Sequence, residues 1–211
     1  MYATSLGYAQ MRPKGVESNH FAYHLDQLIR AGLIAKEGRS YSLTPLGLSL
    51  ADRVSHENMT IRTQPHIVTA AHVVNGDGQL LLYRHTFQPY LGLYGFPQGR
   101  LHFEEHVTGA AKRELQEKSG LEKVKLTHRG IVYVHARKGK ETISRILIHV
   151  FSGAVKGSPE LSAPTEKGAS SWGDPDTHTA QECMPGFPQI RKLLAKNSSE
   201  LFFAEIETEI A

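Results

Sequence analysis

Cysteine is almost absent from this chain: Cys183 is the only one in 211 residues. An intramolecular disulfide and a cysteine-rich zinc module are therefore excluded, and a reducing compartment fits. Long apolar runs are missing too, since none approaches the roughly 20 residues that cross a bilayer. The opening stretch, Met1 to Met11, lacks the basic-then-apolar order of a secretory leader. A cytoplasmic protein with no membrane partner is expected. Charge of one sign is scarce as well. The formal net charge of +3 is too small to announce a nucleic-acid partner, although it suits anionic substrates. With 40% hydrophobic and 21% charged residues, the composition is that of an ordinary globular protein, and the length accommodates two small domains.

What is there begins with an amphipathic segment. From Ser18, Phe21, Leu25, Leu28 and Ile29 recur at helical spacing, and Gly32 suits the stop. Leu33 and Ile34, then Tyr41 and Leu43, alternate about Glu37-Gly38 and predict a hairpin. Thr44-Pro45 follows as a capping residue and a first-turn proline, opening a helix to about Val54. This helix, hairpin, helix order, with the Tyr-x-Leu-Thr-x-x-Gly run from Tyr41 to Gly47, resembles the winged helix-turn-helix of bacterial and archaeal regulators. The resemblance covers residues 1–63 and implies a recognition helix and a wing. Asn19, His20, His24 and Arg39 would then face DNA. Only about 17 residues precede that helix, so a truncated module is expected. Seven basic residues against five acidic ones in this segment do not make a strong phosphate-binding surface. A packing or dimerisation element is the competing expectation, with a homodimer as its consequence.

Polar residues Glu57 to Gln64 read as a linker. Beyond it, Ile67–Val74 and Leu80–Tyr83 flank Asn75-Gly-Asp-Gly78 and predict a hairpin. Strands are expected at Gly130–His135 and Ile143–Phe151, and helices at Glu105–Lys118 and Pro188–Lys196. Leu201–Ile206 reads as a strand or a second helix.

The chemistry concentrates between Gln98 and Leu121. On a helix, Glu114, Glu117 and position 118 share one face, whereas Val107, Ala110, Ala111 and Leu115 favour another. Two carboxylates suit a hard divalent ion that keeps some waters and bridges substrate phosphates. Such an ion neutralises phosphoryl charge and orients a water for attack at phosphorus. The run also resembles the box of the Nudix family, Gly-x5-Glu-x7-Arg-Glu-U-x-Glu-Glu-x-Gly-U, with U a bulky aliphatic residue. Gly99, Glu105, Arg113, Glu114, Leu115, Glu117, Gly120 and Leu121 match, and Lys118 does not. The resemblance implies an α+β chain whose residues 64–211 form a Nudix α/β/α sandwich behind a winged-helix-like domain.

It further implies hydrolysis of a diphosphate bond in a nucleoside diphosphate derivative, dependent on Mg²⁺ or Mn²⁺. Glu114 and Glu117 would ligate the metal, joined by the carbonyl of Gln98, where relatives more often have glycine. Glu105 and Arg113 would pair across loop and helix, and Gly99 would permit a tight loop. Glu166 is the downstream carboxylate to test as a base, and Arg84 and Lys118 are candidate substrate contacts, with Tyr83 and His85 beside them. Lys118 replaces a carboxylate with an ammonium, which removes an oxygen ligand and lowers the expected metal affinity. The alternatives are a pair with Glu114 or a contact to substrate phosphate. A nucleotide-sensing, DNA-binding regulator with a weakened Nudix domain is therefore the second reading. His102 to His106 fits the His-x-x-Glu-His order of inverted zinc peptidases, but Gly99 upstream argues for a loop. Trp172 reads as core or pocket wall.

Overall fold

In the computed structural model, residues 5–54, 64–196 and 200–209 are described. The chain divides into two compact units, Met1–Thr63 and Gln64–Ala211. The expected linker, apart from Gln64, lies outside the described residues.

The first unit contains β1 (Leu6–Gly7), α1 (Tyr8–Met11), α2 (Ser18–Arg30), β2 (Ile34–Glu37), β3 (Ser40–Leu43) and α3 (Pro45–Arg53). Helix α2 buries Leu25, and its continuation ends at Gly32 with φ of 71°. Thr44 caps α3 by accepting from the Gly47 amide at 3.1 Å, while its hydroxyl donates to the Gly32 carbonyl at 2.5 Å. This ties α3 to the end of α2. The hairpin forms as expected, but sequence reading missed β1, which pairs with β3 and gives a three-stranded sheet in the order β1-β3-β2. The missed α1 is anchored by the Tyr8 hydroxyl, which donates to the Ser18 carbonyl at 2.7 Å. Elements this short carry no readable period.

The second unit is built on a mixed sheet of β4 (His66–Val74), β5 (Leu80–His85), β6 (Tyr94–Gly95), β7 (Gln98–Arg100), β8 (Thr127–Lys138), β9 (Glu141–Ala154), β10 (Gly168–Gly173) and β11 (Phe202–Glu209). Its main path runs β10-β5-β4-β9-β8-β11, with β6 on β5 and β7 on β4. Helix α4 (Val107–Ser119) lies on one face and α5 (Phe187–Lys196) on the other. Alternation of side chains produces two cores. Val68, Ala70, Leu82, Ile148 and Val150 meet Phe96, Phe187 and Ile190, whereas Ala71, Val73 and Leu81 meet Leu115 and Leu121. Trp172 packs against the second core and its indole donates to the Pro159 carbonyl at 2.9 Å.

Three expectations are corrected and one open alternative is decided. The β4–β5 hairpin opens at once, for only Val74 and Leu80 pair across it. Strand β4 instead lies parallel to β9 through all its length, with β7 antiparallel to it at Val68–Ala70. The central position for β4 follows from its apolarity on both faces, a feature of strands covered by helices on both sides. Second, of the two alternatives for Leu201–Ile206 the strand is the one formed, with Phe202–Glu209 parallel to β8. Third, the stretch before α4 is not all loop, because Gln98 and Gly99 belong to β7. Fourth, α4 starts at Val107, so Glu105 precedes the helix. Among the described residues, no helix is long and apolar enough to cross a membrane.

Candidate functional site

Helix α4 ends where Gly120 adopts a left-handed φ of 78°, a conformation that glycine enters without a β-carbon clash. Its Leu115 face is buried against β4, which carries the preceding side chain, Glu114, inward to the crossing with β7. The Glu114 side chain is only 8% exposed. A buried carboxylate must be paired, and Glu114 is paired twice. Arg113 Nη1 donates to its Oε1 at 2.6 Å, and Lys118, one turn later on α4, forms an ion pair with its Oε2.

Gly99 sits directly against this carboxylate. A β-carbon there would overlap the Glu114 carboxyl group. The sequence expectation of a tight loop at Gly99 is thus replaced by a close approach of strand backbone to a charged group.

Arg113 links three segments. Its Nε and Nη2 donate to the two Glu105 oxygens at 2.7 and 2.9 Å, and Nη2 also reaches the Arg100 carbonyl at 3.1 Å. The bidentate pair holds the loop before α4 and the end of β7 onto the helix. The guanidinium beside it holds the Glu105 carboxyl down at about 2. Glu117 is 58% exposed and has one oxygen 3.5 Å from Arg113 Nη1, so both candidate ligands converge on one guanidinium nitrogen.

The Pro97 carbonyl and the Leu101 amide bond to β4. Alternation along an antiparallel ladder then directs the Gln98 backbone groups away from β4. Among the described residues, no three His, Cys, Asp or Glu side chains gather closely enough to hold a metal by themselves. Two neighbouring carboxylates beside a strand backbone are oxygen donors of the kind that suits a hard ion such as Mg²⁺ or Mn²⁺, which retains part of its hydration. Lys118 occupies the third carboxylate's place and would have to release Glu114.

Around Lys118 lies a second layer. Its ammonium is 5.3 Å from the centroid of the Tyr83 ring, and its carbonyl accepts from Ser170 Oγ at 2.8 Å. Burial, then the nearby Glu114 charge, push the Tyr83 phenol up. His85 is buried, with neither ring nitrogen partnered, amid Tyr83 at 5.0 Å, Phe87 at 5.8 Å and Tyr90 at 6.4 Å. Burial, followed by the Lys118 charge, brings its imidazole down to about 4.

Other candidates are not brought to this cluster. Arg84 is exposed on the opposite face of β5, 5.7 Å from the Tyr94 ring. Glu166 lies on the exposed turn before β10, where its carbonyl accepts from the Thr86 hydroxyl. Its carboxylate forms no ion pair with Lys118. His102 and His106 precede α4 rather than sharing a helical face, which removes the zinc-peptidase reading. Asn19, His20 and His24 are exposed on α2, the two histidines touching through their Nε2 atoms at 2.9 Å, and Arg39 is exposed at the β2–β3 turn.

The family described as "NUDIX domain" matches residues 64–195. No curated protein matches the chain significantly. Solved structures do. The NUDIX domain of Shewanella oneidensis NrtR, complexed with ADP ribose, is 13% identical with a TM-score of 0.55, covering 74% of this chain and all (100%) of that one. The mutator MutT protein of Bacillus halodurans is 20% identical with a TM-score of 0.52, covering 68% and 90%. The bifunctional NMN adenylyltransferase/ADP ribose pyrophosphatase of Francisella tularensis, complexed with AMP and a manganese ion, is 15% identical with a TM-score of 0.52, covering 91% and 58%. These likenesses establish the fold.

Proposed function

We propose, from the premise that this chain belongs to the NUDIX domain family, that it hydrolyses the diphosphate linkage of a nucleoside diphosphate derivative with a divalent ion, Mg²⁺ or Mn²⁺. One observation carries this reading: Glu114 and Glu117 converge on one Arg113 nitrogen where the β7 backbone at Gly99 lies against the Glu114 carboxylate. The ion, when bound, supplies neutralisation of phosphoryl charge and a polarised water. Glu114 and Glu117 would hold it, and Gly99 would let the strand backbone close on that place. Glu105 and Arg113 position the ligands without touching substrate. The ADP ribose of the Shewanella domain and the AMP and manganese of the Francisella protein support a nucleotide derivative and a divalent ion as the things to try first.

Lys118 sets the rate in this reading. Its ammonium neutralises Glu114 and removes an oxygen donor, so metal affinity is low and turnover modest. The same ammonium can move to a substrate phosphate once Glu114 turns to metal. The test is turnover of ADP ribose, dinucleotides, nucleoside diphosphate sugars and nucleoside triphosphates with Mg²⁺ or Mn²⁺. Glu117→Gln should abolish most of it, and full activity in that variant overturns the assignment.

The Lys118–Glu114 pair also favours a second reading, in which the domain senses a nucleotide without cutting it and the first unit, a winged-helix-like domain, binds DNA through Asn19, His20, His24 and Arg39. A salt-sensitive DNA complex that responds to ADP ribose, together with no turnover, would select this reading. A homodimer through the first unit is a separate proposal, tested by solution mass with and without residues 1–63.

A further inference from the structure

A cavity of about 920 Å³ opens on the α5 face of the sheet, the face turned away from Glu114. Neither Glu114, Glu117 nor Gln98 lines it. Its size is that of a small-ligand site, for which roughly 300–1,000 Å³ is usual. Among the described residues, four basic side chains, Lys125, Arg129, Arg191 and Lys192, contribute to its wall, against one acidic side chain, Asp176. Asp176 is engaged by Arg191 at 2.8 Å, so the described acid of the wall offsets one of these cations. Arg129 approaches from β8 and reaches Ser152 Oγ on β9 at 3.2 Å, while Arg191 and Lys192 approach from α5. The cations thus converge from a strand and from a helix.

His72 lines the same recess. Burial lowers its pKa, and the charges of Arg191 and Arg129 lower it further, against a backbone hydrogen bond that raises it. The remaining wall is apolar and includes Phe187 and Pro188. Cationic groups converging beside an apolar wall match a molecule with an anionic end and a flat or apolar body. Four cations held within one recess repel one another, and bound anions relieve that repulsion.

We propose that this cavity is a second ligand site, which takes a phosphate monoester of nucleotide size with its phosphate toward Arg129 and Lys192. The site is independent of the diphosphate chemistry proposed at α4, for the sheet separates the two. It also has a route to that chemistry. His72 packs 5.8 Å from the Phe96 ring, which itself meets Phe187 at 4.5 Å, and Phe96 is two residues before Gln98.

Calorimetric titration of the full chain with AMP, with adenosine and with inorganic phosphate, all without divalent metal, tests the proposal. AMP should saturate one site, and more tightly than either fragment. Arg129→Gln and, separately, Lys192→Glu should each weaken AMP about tenfold, the loss of one charge-assisted contact. Lys192 is exposed on α5, so its substitution leaves the fold intact. Glu117→Gln should leave AMP binding unchanged, which separates failure here from failure of the α4 reading. Unaltered AMP affinity in both cation variants, or no saturable AMP binding to the unsubstituted chain, overturns the proposal. Binding of inorganic phosphate as tight as that of AMP overturns the nucleotide-sized ligand.

Discussion

Lys118 neutralises Glu114 in an ion pair on consecutive turns of α4, and the Glu114 side chain is only 8% exposed. Lys118 stands where the box pattern has a further carboxylate. Removing one member of such a pair strands the other charge in a low-polarity setting, which is costly, whereas exchanging the sign changes what the site can bind.

Lys118→Glu should therefore raise Mg²⁺ affinity by at least about tenfold, since a third carboxylate adds a ligand and reverses a charge. The metal-free variant should melt below the unsubstituted chain, because Glu114 then faces a like charge, and Mg²⁺ should restore it. Calorimetry and melting curves across a Mg²⁺ series read both effects. A variant whose melting point ignores Mg²⁺ would remove Lys118 from the metal's vicinity.

Gly99→Ala places a methyl where the Glu114 carboxylate lies. Glu114 cannot swing aside freely, because Arg113 and Lys118 hold it. The strand must separate from α4 or the ion pairs must break, at a cost of about 1–3 kcal/mol. Denaturant titration measures this, and a loss below about 0.5 kcal/mol would mean that the crossing is loose.

Glu105 carries an acid dependence. Its carboxyl is held at about 2, down from an ordinary 4.5, by the hydrogen bonds from Arg113. A depressed carboxylate stabilises the folded state fully above its unfolded value and loses that contribution as pH falls from about 4.5 toward about 2. Melting temperature measured through this window should fall more steeply for the unsubstituted chain than for Glu105→Gln. Parallel curves would contradict the pairing.

His85 acts in a higher window. It is a base whose folded pKa, about 4, lies below its ordinary 6.5. Protonation favours the unfolded chain between those values, so stability is present above 6.5 and declines as pH drops toward about 4. His85→Phe fits the surrounding Tyr83, Phe87 and Tyr90 rings and should flatten the melting-temperature profile between those limits. It also removes two unpartnered ring nitrogens, so near neutral pH it should be no less stable than the parent. A profile that keeps its slope would place the titration elsewhere.

Much of this molecule is written locally. The apolar spacing of α2, the Thr44-Pro45 cap of α3, the Leu115 face of α4 and the left-handed stop at Gly120 are each decided within a few residues. The box from Gly99 to Leu121 likewise named the residues that meet at the β7–α4 crossing, because Arg113, Glu114 and Glu117 share one helix. Only the tertiary structure decided the rest. Strand β4 reads as half of a hairpin with β5, yet it lies parallel to β9, some 80 residues later in the chain. Pairing of that kind depends on which long-range partner buries both faces of the strand, and no local period encodes it. Arg84 and His85 are neighbours in sequence and lie on opposite faces of the sheet, because side chains alternate along a strand. The cation-lined cavity joins β4, β8 and α5. Its charges are scattered along the chain and become one electrostatic object only when the sheet and helix bring them within reach of one another.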